Sequence, residues 1–346
     1  MAMGNKYGAH RVIEPKGLLP QAAQKIDNTM EIYDNEILID VSALNIDSAS
    51  FRQLWTASEQ DESRLKEMVL EIVNERGKMQ NPVTGSGGML MGSIAKIGSA
   101  LQNRKDIKVG NRIASLVSLS LTPLHIDEIL AVHPETDRVD IKGQAILFES
   151  GIYAKLPDDM PESLALAALD VAGAPAQTAN IVKPGDSVLI LGAGGKSGML
   201  CGYESMKRVG PCGNVVGMSR NNRPEKTLLE NHFVHKFFVA DAANPVEVLE
   251  KALECNGGKE YDVAINVVNI HGTEMSTILP VRDGGLVYFF SMATSFTRAA
   301  LGAEGIGKDV TMIIGNGYTR NHAEFTLQVL RESKALREIF EKNYIQ

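Results

Sequence analysis

Residues 183–198 constrain the fold of this chain more than any other part of its sequence. They read Lys-Pro-Gly-Asp-Ser-Val-Leu-Ile-Leu-Gly-Ala-Gly-Gly-Lys-Ser-Gly. The Pro-Gly-Asp is typical of a turn, and the apolar run at 187–191 predicts a short strand buried on both faces. Glycines before a helix let the backbone approach a pyrophosphate, which the N–H groups and the positive dipole end of that helix then bind. The stretch therefore predicts a strand, a tight turn and a helix that together bind a dinucleotide.

The glycine pattern departs from the common Gly-x-Gly-x-x-Gly sequence at its third position. Gly192 and Gly194 match, but Ser197 stands where the third glycine is expected and Gly198 follows one place later. We interpret Ser197 as a small residue that this position tolerates. The Gly-Lys-Ser triplet at 195–197 also resembles a P-loop, which is disfavoured because that motif needs another glycine five residues earlier. The predicted cofactor contacts in this stretch are Gly192, Gly194, Gly195, Lys196 and Ser197.

Length and composition allow two domains and argue against several classes of protein. A chain of 346 residues can build two sizeable cores. The net charge of −7 argues against nucleic acid or an anionic membrane as the main partner. The sequence contains no apolar run long enough to span a bilayer, and residues 4–10 are too polar for a signal peptide. Cys201, Cys212 and Cys255 are too scattered for a disulfide framework. We therefore expect a cytoplasmic enzyme that acts on a small molecule.

Two parts of the chain differ in their pattern of apolar residues. Up to about residue 155 short strands alternate with turns, including a strand at 36–44 and an amphipathic helix at 61–76 that ends at Gly77. From Val188 onward strands and helices alternate, which predicts an α/β protein with a six-stranded, doubly wound parallel sheet. The predicted strands of that sheet are 188–191, 214–218, 236–239, 262–268, 285–290 and 310–314.

The end of the second of these strands indicates which nicotinamide cofactor fits the site. An Asp or Glu about 20 residues beyond the glycines binds the ribose 2′-hydroxyl and selects NAD. Here the strand runs into Ser-Arg-Asn-Asn-Arg at 219–223, where two guanidinium groups and a hydroxyl suit a 2′-phosphate. We expect NADP, with NAD as the alternative because exposed arginines are common. The predicted contacts are Ser219, Arg220 and Arg223 at this end, and Ser291 and Ala293 at the nicotinamide carboxamide.

Over nearly its whole length the chain resembles the medium-chain dehydrogenase/reductase superfamily. The matching segments are Asn-Pro at 81–82 with Gly85, the turn at 108–113, Lys-Leu-Pro at 155–157 and Pro-Gly-Asp at 184–186. The resemblance implies a GroES-like, β-rich catalytic domain (1–160), a parallel six-stranded Rossmann domain (161–317) and a C-terminal helical segment (318–346) that returns to the catalytic domain. It also implies an active site in the cleft between the domains and a homodimer joined through Rossmann edge strands.

Zinc-dependent members of this superfamily place metal ligands where this chain has none. They have a cysteine near Asn45 and Gly-His-Glu near residues 85–87, and neither position offers a usable ligand here. Another zinc ligand lies near Asp170. A catalytic zinc needs about three protein ligands. We therefore expect no bound metal.

Within that superfamily the chain resembles the family of L-erythro-3,5-diaminohexanoate dehydrogenases of anaerobic lysine fermentation. The segments that carry this resemblance are 8–15, 38–51, 143–157 and 169–174. It implies oxidative deamination at C3 of the diamino acid, which gives 5-amino-3-oxohexanoate, ammonia and reduced cofactor. A zinc-free quinone or enoyl reductase and a non-catalytic nucleotide-binding protein are the alternatives.

The implied reaction needs a general base, because an amine can release a hydride only after its ammonium has lost a proton. We predict Asp170 as this base, since it follows an apolar helix and would be partly desolvated; a helix cap is its alternative role. Asp47 is predicted to bind a substrate ammonium, and Glu149 is a third candidate acid. Arg11 is a candidate partner for the substrate carboxylate.

Overall fold

The computed structural model describes residues 2–315 and 317–344, and the chain divides into two compact units, Met1–Asp158 and Asp159–Gln346. The first unit therefore ends two residues before the predicted boundary at residue 160. Among the helices in the described part of the chain, none combines the length and the apolar character needed to cross a membrane.

An antiparallel sheet forms the framework of the first unit. The strands of this unit are Val12–Glu14 (β1), Lys25–Ile26 (β2), Glu36–Ile46 (β3), Gly88–Ile97 (β4), Arg112–Ser115 (β5), Leu124–His133 (β6), Arg138–Phe148 (β7) and Tyr153–Lys155 (β8). Its α-helices are Ser48–Ala57 (α1) and Glu62–Arg76 (α2). Over the described residues, six strands pair in the order β6-β7-β3-β4-β5-β8, and β1 pairs with β2 separately. This confirms the β-rich first part of the predicted fold.

The register between β3 and β7 determines which candidate residues of this unit can meet. Glu36 lies opposite Phe148 at one end of the pair, and Asn45 lies opposite Arg138 at the other. The segments that follow these two strands therefore leave the sheet at opposite ends. At about 3.3 Å per residue, the eleven residues of β3 separate those ends by on the order of 30 Å.

Two buried cations hold the segment before β3. The Arg11 side chain is fully buried, and its guanidinium donates to both carboxylate oxygens of Glu36, at 2.8 and 2.7 Å. It also donates to the carbonyl oxygens of Thr29 and Glu31. Our hypothesis that Arg11 binds a substrate carboxylate is therefore wrong, because Glu36 and backbone carbonyl oxygens of the chain already occupy its donor groups. Its role is to hold the loop 27–31 against the first strand of the main sheet.

Lys78 is the second buried cation of this unit, and it lies next to the predicted helix end at Gly77. Its ammonium donates to the carbonyl oxygens of Pro20 and Ala23, at 2.6 and 2.7 Å. Burial lowers the pKa of Lys78 from 10.5 to about 8. The interaction thus joins loop 20–23 to the end of α2 at the cost of desolvating an ammonium group.

We expect Lys78 to make the stability of the protein depend on alkaline pH. Between pH 8 and 10.5 the unfolded chain retains a proton that the folded chain has lost, so the free energy of unfolding should rise with pH there. The rise is up to about 3 kcal/mol and is absent below pH 8, where both states are protonated. Urea unfolding of the wild type and Lys78→Met from pH 7.5 to 10 measures it. An unchanged difference between the two proteins across this range would contradict the assignment.

The second unit is a doubly wound α/β structure, as predicted. Its strands are Ser187–Leu191 (β9), Asn214–Ser219 (β10), Lys236–Val239 (β11), Tyr261–Asn266 (β12), Val281–Phe289 (β13) and Val310–Ile314 (β14). Its helices are Glu162–Leu169 (α3), Gly173–Ile181 (α4), Lys196–Val209 (α5), Glu225–Glu230 (α6), Pro245–Cys255 (α7), Glu274–Ile278 (α8), Phe296–Gly305 (α9), His322–Glu332 (α10) and Lys334–Tyr344 (α11). The strands are close to the predicted ones; the largest difference is that β13 begins at Val281 rather than at residue 285.

The parallel sheet reverses its strand order next to β9, which positions the cofactor site. Across the described residues the order is β11-β10-β9-β12-β13-β14, with parallel pairing throughout. Four of the five residues of β9 are buried, as expected for a strand covered by helices on both faces. Ligands of such sheets bind beyond the carboxyl ends of the strands at this reversal point. The glycine turn follows β9 directly, so it lies at that point.

The C-terminal segment forms two helices that pack within the second unit. α10 contacts α3 and α4, while α11 contacts α3 and α5. The buried side chains Leu327, Leu330, Leu336 and Phe340 supply the apolar face of this pair. That the segment also returns to the catalytic domain stays a prediction. The alanine-rich helices α3 and α4 offer a close-fitting apolar surface that the sequence pattern of the last helices could not identify.

Candidate active site

The turn after β9 has the geometry that a pyrophosphate site requires. Gly192 has φ +88°, a conformation that favours glycine. A Cβ at Gly194 would lie 2.6 Å from ring carbons of Pro224, so a side chain is excluded there too. The backbone N–H of Gly194 donates to the hydroxyl of Ser219 at 3.2 Å, which joins the turn to the end of β10. This hydrogen bond brings together the predicted contacts of the glycine turn and those at the end of β10.

Gly198, rather than Ser197, fills the role of the third glycine. A Cβ at Gly198 would lie 2.2 Å from the carbonyl oxygen of Gly192 and 2.6 Å from Ala193. The first turn of α5 therefore packs directly against the backbone of the glycine turn. Any side chain at position 198 would prevent this contact. Our interpretation of Ser197 as the tolerated third glycine is wrong, because the close contact falls one residue later.

Gly198→Ala should distort the turn and weaken cofactor binding at least about tenfold, because the methyl group must displace a backbone carbonyl. Gly305→Ala is the matched control, because a Cβ there would have no neighbour within 4 Å and Gly305 does not line the pocket. Titration of both variants with NADPH, followed by fluorescence, measures the difference. Equal affinities would show that the turn can relax around the added methyl group.

A pocket of about 650 Å³ opens beyond this turn, within the second unit. The predicted residues that line it are Gly192, Gly194, Gly195, Ser219, Arg220 and Arg223. Sequence reasoning missed other lining residues, including Asn221, Thr227, Asp241, Ile270, Ile339, Lys342 and Asn343. Asn221 adjoins the arginines and could have been found. The residues of α11 could not, because they reach the pocket only through the packing of the last helix.

The cationic corner of the pocket lies at the end of β10. Arg220 and Arg223 are exposed, and neither guanidinium forms a hydrogen bond or an ion pair with any of the described residues. The hydroxyl of Ser219 lies beside them at the glycine turn. Two cations without a carboxylate partner and an adjacent hydroxyl match the requirements of a phosphate group.

Four predicted cofactor contacts do not line this pocket. Lys196 and Ser197 form the first turn of α5, while Ser291 and Ala293 follow β13. The Ser291 hydroxyl accepts a hydrogen bond from the N–H of Ala293. The carbonyl oxygen of Ala293 in turn accepts from the ring Nδ1 of His271, at 3.0 Å. His271 thus connects the loops that follow β12 and β13, a contact that the sequence did not suggest.

Asp170 lies at the end of α3, where its carboxylate pairs with the first residue of α5. Its Oδ2 accepts from the ammonium of Lys196 at 2.6 Å. The Asp170 side chain is 54% exposed, so it is not the partly desolvated carboxylate that we expected. Asp170 directly follows the apolar helix α3, whose buried residues end at Leu169. The structure thus joins two candidate residues that we had assigned to different tasks.

The other two candidate acids lie at opposite ends of the first unit. Asp47 precedes α1 and is exposed; its carboxylate does not cap that helix. Glu149 follows β7, where its Oε2 accepts from the amide of Asn35 at 2.8 Å. The β3–β7 register separates these positions by on the order of 30 Å, which is too far for both to contact one six-carbon substrate. The structure gives Glu149 a partner that anchors the N-terminal segment.

A cluster of hydroxyl groups joins the start of α1 to the loop at residues 84–86. The buried Ser50 hydroxyl lies 2.5 Å from the hydroxyl of Thr84 and 2.6 Å from that of Ser86. Asn81 accepts from the N–H groups of residues 83 and 84, which shapes the same loop. Within residues 2–315 and 317–344 no group of three or more His, Cys, Asp or Glu side chains could hold a metal ion. Metal-free chemistry stays a prediction.

Solved structures with the same fold include two that contain NADPH. A mycobacterial protein solved with NADPH has a TM-score of 0.54 at 14% identity, over 94% of this chain and 87% of its own. The quinone oxidoreductase of Escherichia coli, also solved with NADPH, has a TM-score of 0.50 at 18% identity, over 91% and 85%. At identities of 14% and 18% these structures show the class of fold and no more.

Sequence comparison narrows that class to one family. A protein from Acetoanaerobium sticklandii is 67% identical over 342 residues, 99% of both chains, and one from Fusobacterium nucleatum is 64% identical over 345 residues, 100% of both. Both are L-erythro-3,5-diaminohexanoate dehydrogenases. Residues 10–157 match the family model for the N-terminal domain of that enzyme. The chain belongs to the L-erythro-3,5-diaminohexanoate dehydrogenase family.

Proposed function

We propose that this chain catalyses the NADP-dependent oxidative deamination of L-erythro-3,5-diaminohexanoate to 5-amino-3-oxohexanoate and ammonia, a step of lysine fermentation. The observation that carries the proposal is the 67% identity to a dehydrogenase of this name across 99% of both chains. The chain is accordingly an oxidoreductase that acts on an amine. The roles of Asp170 and of the cofactor contacts, and the choice of NADP over NAD, rest on the geometry of the second unit.

The pocket beyond β9 fits a nicotinamide dinucleotide. The glycine turn leaves no room for side chains where a pyrophosphate must approach, and the start of α5 supplies N–H groups for it. Arg220 and Arg223, which lack carboxylate partners among the described residues, would bind the 2′-phosphate of NADP, with Ser219 beside them. The bound cofactor would accept the hydride released from C3 of the substrate. NADP is favoured over NAD because an NAD site would place a carboxylate at the end of β10.

Asp170 is the proposed acceptor of the proton from the C3 ammonium. Lys196 occupies one of its oxygens and leaves Oδ1 for the substrate, so the pair holds the carboxylate in place. Loss of this proton gives the neutral amine, loss of the hydride gives an iminium, and addition of water followed by release of ammonia gives the ketone. Solvent exposure of Asp170 also provides a path for the proton and the water.

Asp47 is the proposed partner of the second substrate ammonium, at C5. Its carboxylate is exposed and leaves the adjacent helix uncapped, so it is available for a cation. An ion-paired hydrogen bond of this kind contributes roughly 1.5–3 kcal/mol, which would favour a diamino acid over a neutral ketone. Glu149 is not part of the proposed site, because its distance from Asp47 prevents a shared substrate.

One assay tests the function against its alternatives. The purified chain, mixed with NADP and the diamino acid, should increase absorbance at the wavelength of the reduced cofactor and release one ammonia per turnover. Oxidation of NADPH by quinones or enoyl thioesters, without turnover of the diamino acid, would replace the proposal with a reductase. Cofactor binding without turnover of any of these substrates would identify a nucleotide-binding protein.

We also propose that two copies associate through the free edge of the parallel sheet. β14 pairs with β13 on one side, and Ile314 at its end is half exposed. Phe296 and Leu301 of α9, the helix that precedes β14 along the chain, are 70% and 63% exposed and offer further apolar surface. Light scattering should then give the mass of a dimer, and a monomer mass would reject this arrangement.

The free thiols Cys201, Cys212 and Cys255 are consistent with a reducing cytoplasm.

A further inference from the structure

The last helix of the chain forms part of the wall of the cofactor pocket. Ile339, Lys342 and Asn343 of α11 line the same pocket as the glycine turn and the arginines at the end of β10. These three positions share one face of the helix, because residues three and four apart are neighbours on its surface. Neither the glycine pattern nor the strand order predicts this wall.

The adjoining face of α11 holds the helix in place. Leu336 and Phe340 are fully buried, and the helix contacts α3 and α5. Arg337 adds polar contacts, with its guanidinium donating to Glu341 on the same helix and to the carbonyl oxygen of Asp159. The three pocket-lining residues are therefore presented by an anchored helix rather than by a free chain end.

Lys342 places a cation in the pocket wall that the chain itself does not neutralise. Its side chain is exposed and forms no ion pair with the described residues, whereas Lys334 on the same helix lies 3.6 Å from Glu338. The pocket also contains the guanidinium groups of Arg220 and Arg223, which have no partner among the described residues. Three cations against the single carboxylate of Asp241 leave the lining net positive in a chain of net charge −7, which indicates an anionic ligand with more than one phosphate.

We infer that α11 is a component of the cofactor site and that Lys342 binds a phosphate group of the dinucleotide. This inference rests on the proposed use of a nicotinamide dinucleotide. The lysine ammonium complements the arginines, while Ile339 covers an apolar part of the ligand and excludes water. Bound cofactor should consequently reduce local opening of the C-terminal helix, and removal of the Lys342 ammonium should weaken the cofactor site while Leu336 and Phe340 keep the helix anchored.

Binding without turnover tests the inference. Wild type, Lys342→Met and the control Lys334→Met are titrated with NADPH and with NADH, followed by fluorescence. Lys342→Met should raise the Kd about threefold to tenfold, allowing for partial screening by solvent, while Lys334→Met stays at the wild-type value. A loss confined to NADPH assigns Lys342 to the 2′-phosphate, and an equal loss for both cofactors assigns it to the pyrophosphate; either supports the inference. Lys342→Arg should retain the affinity.

Hydrogen exchange supplies a second measurement that is independent of charge. Amides of residues 334–344 should exchange more slowly when NADPH is bound, and the slowing should be smaller in Lys342→Met. An unchanged thermal midpoint of this variant without cofactor would separate binding from folding. If Lys342→Met keeps the wild-type affinity and exchange in α11 is unaltered by NADPH, the inference is overturned. The cofactor assignment is then unaffected. Failure of the wild type to bind either cofactor would overturn the cofactor assignment and the inference with it.

Discussion

Asp170→Asn should lower kcat by about 100-fold or more and leave NADPH binding unchanged, because general base catalysis contributes roughly 10²–10⁴-fold. The amide keeps the size of the carboxylate and can still contact Lys196, but it cannot take a proton from the substrate ammonium. The change therefore removes the chemistry while it preserves the local structure. Steady-state kinetics with the diamino acid, alongside NADPH titration, measures the two effects separately.

Asp47→Asn provides the comparison for this experiment. We assign Asp47 to substrate binding, so its change should raise KM for the diamino acid more than it lowers kcat. A kcat for Asp170→Asn within a few fold of the wild type would remove Asp170 from the mechanism. A fall in kcat for Asp47→Asn at unchanged KM would indicate that Asp47, rather than Asp170, is the general base. Either result would leave the family membership of the chain intact.

The double change Arg220→Ala and Arg223→Ala should weaken NADPH binding by at least about 100-fold and alter NADH binding little. Each guanidinium offers a charge-assisted hydrogen bond worth roughly 1.5–3 kcal/mol to a 2′-phosphate, and NADH lacks that group. Both side chains line the pocket without a carboxylate partner among the described residues, so their removal leaves no unpaired acid behind. Titrations with both cofactors, at low and at high salt, measure the difference.

Lys226→Met is the matched control for these arginines. Lys226 is a cation of the neighbouring α6 that is 82% exposed, and it does not line the pocket. Its loss should change the affinity for neither cofactor, whereas a general effect of net charge would weaken NADPH binding in this variant also. Equal losses of NADPH and NADH in the double arginine variant would refute the 2′-phosphate assignment and favour NAD.

The parallel sheet and its glycine turn were predictable because their signals are local. A strand buried on both faces requires a short apolar run such as 187–191, and a turn beside a phosphate requires glycines directly after it. The arginines at the end of β10 were found for the same reason, since the second strand must end beside the ribose. The antiparallel first unit was less distinct in sequence, because its strands are half exposed and broken by bulges.

The errors of sequence reasoning concern residues whose partners lie far along the chain. Arg11 was treated as free to bind substrate, but Glu36 pairs with it in the core. Glu149 and Asp47 were assigned to one site, although the antiparallel register of β3 and β7 separates them. Gly198 was treated as misplaced, yet its contact with Gly192 makes it the glycine that packs the helix on the turn.

The sequence alone was sufficient for the α/β architecture, the cofactor turn and the cationic strand end, because short-range periodicity and backbone stereochemistry produce these features. Only the tertiary structure decided that Lys196 pairs with Asp170 and that Lys342 reaches the pocket of Gly192. Such pairings depend on how whole helices pack. Many side chains on a helix surface satisfy the same apolar pattern, so the pattern does not specify which charged residue faces a distant loop.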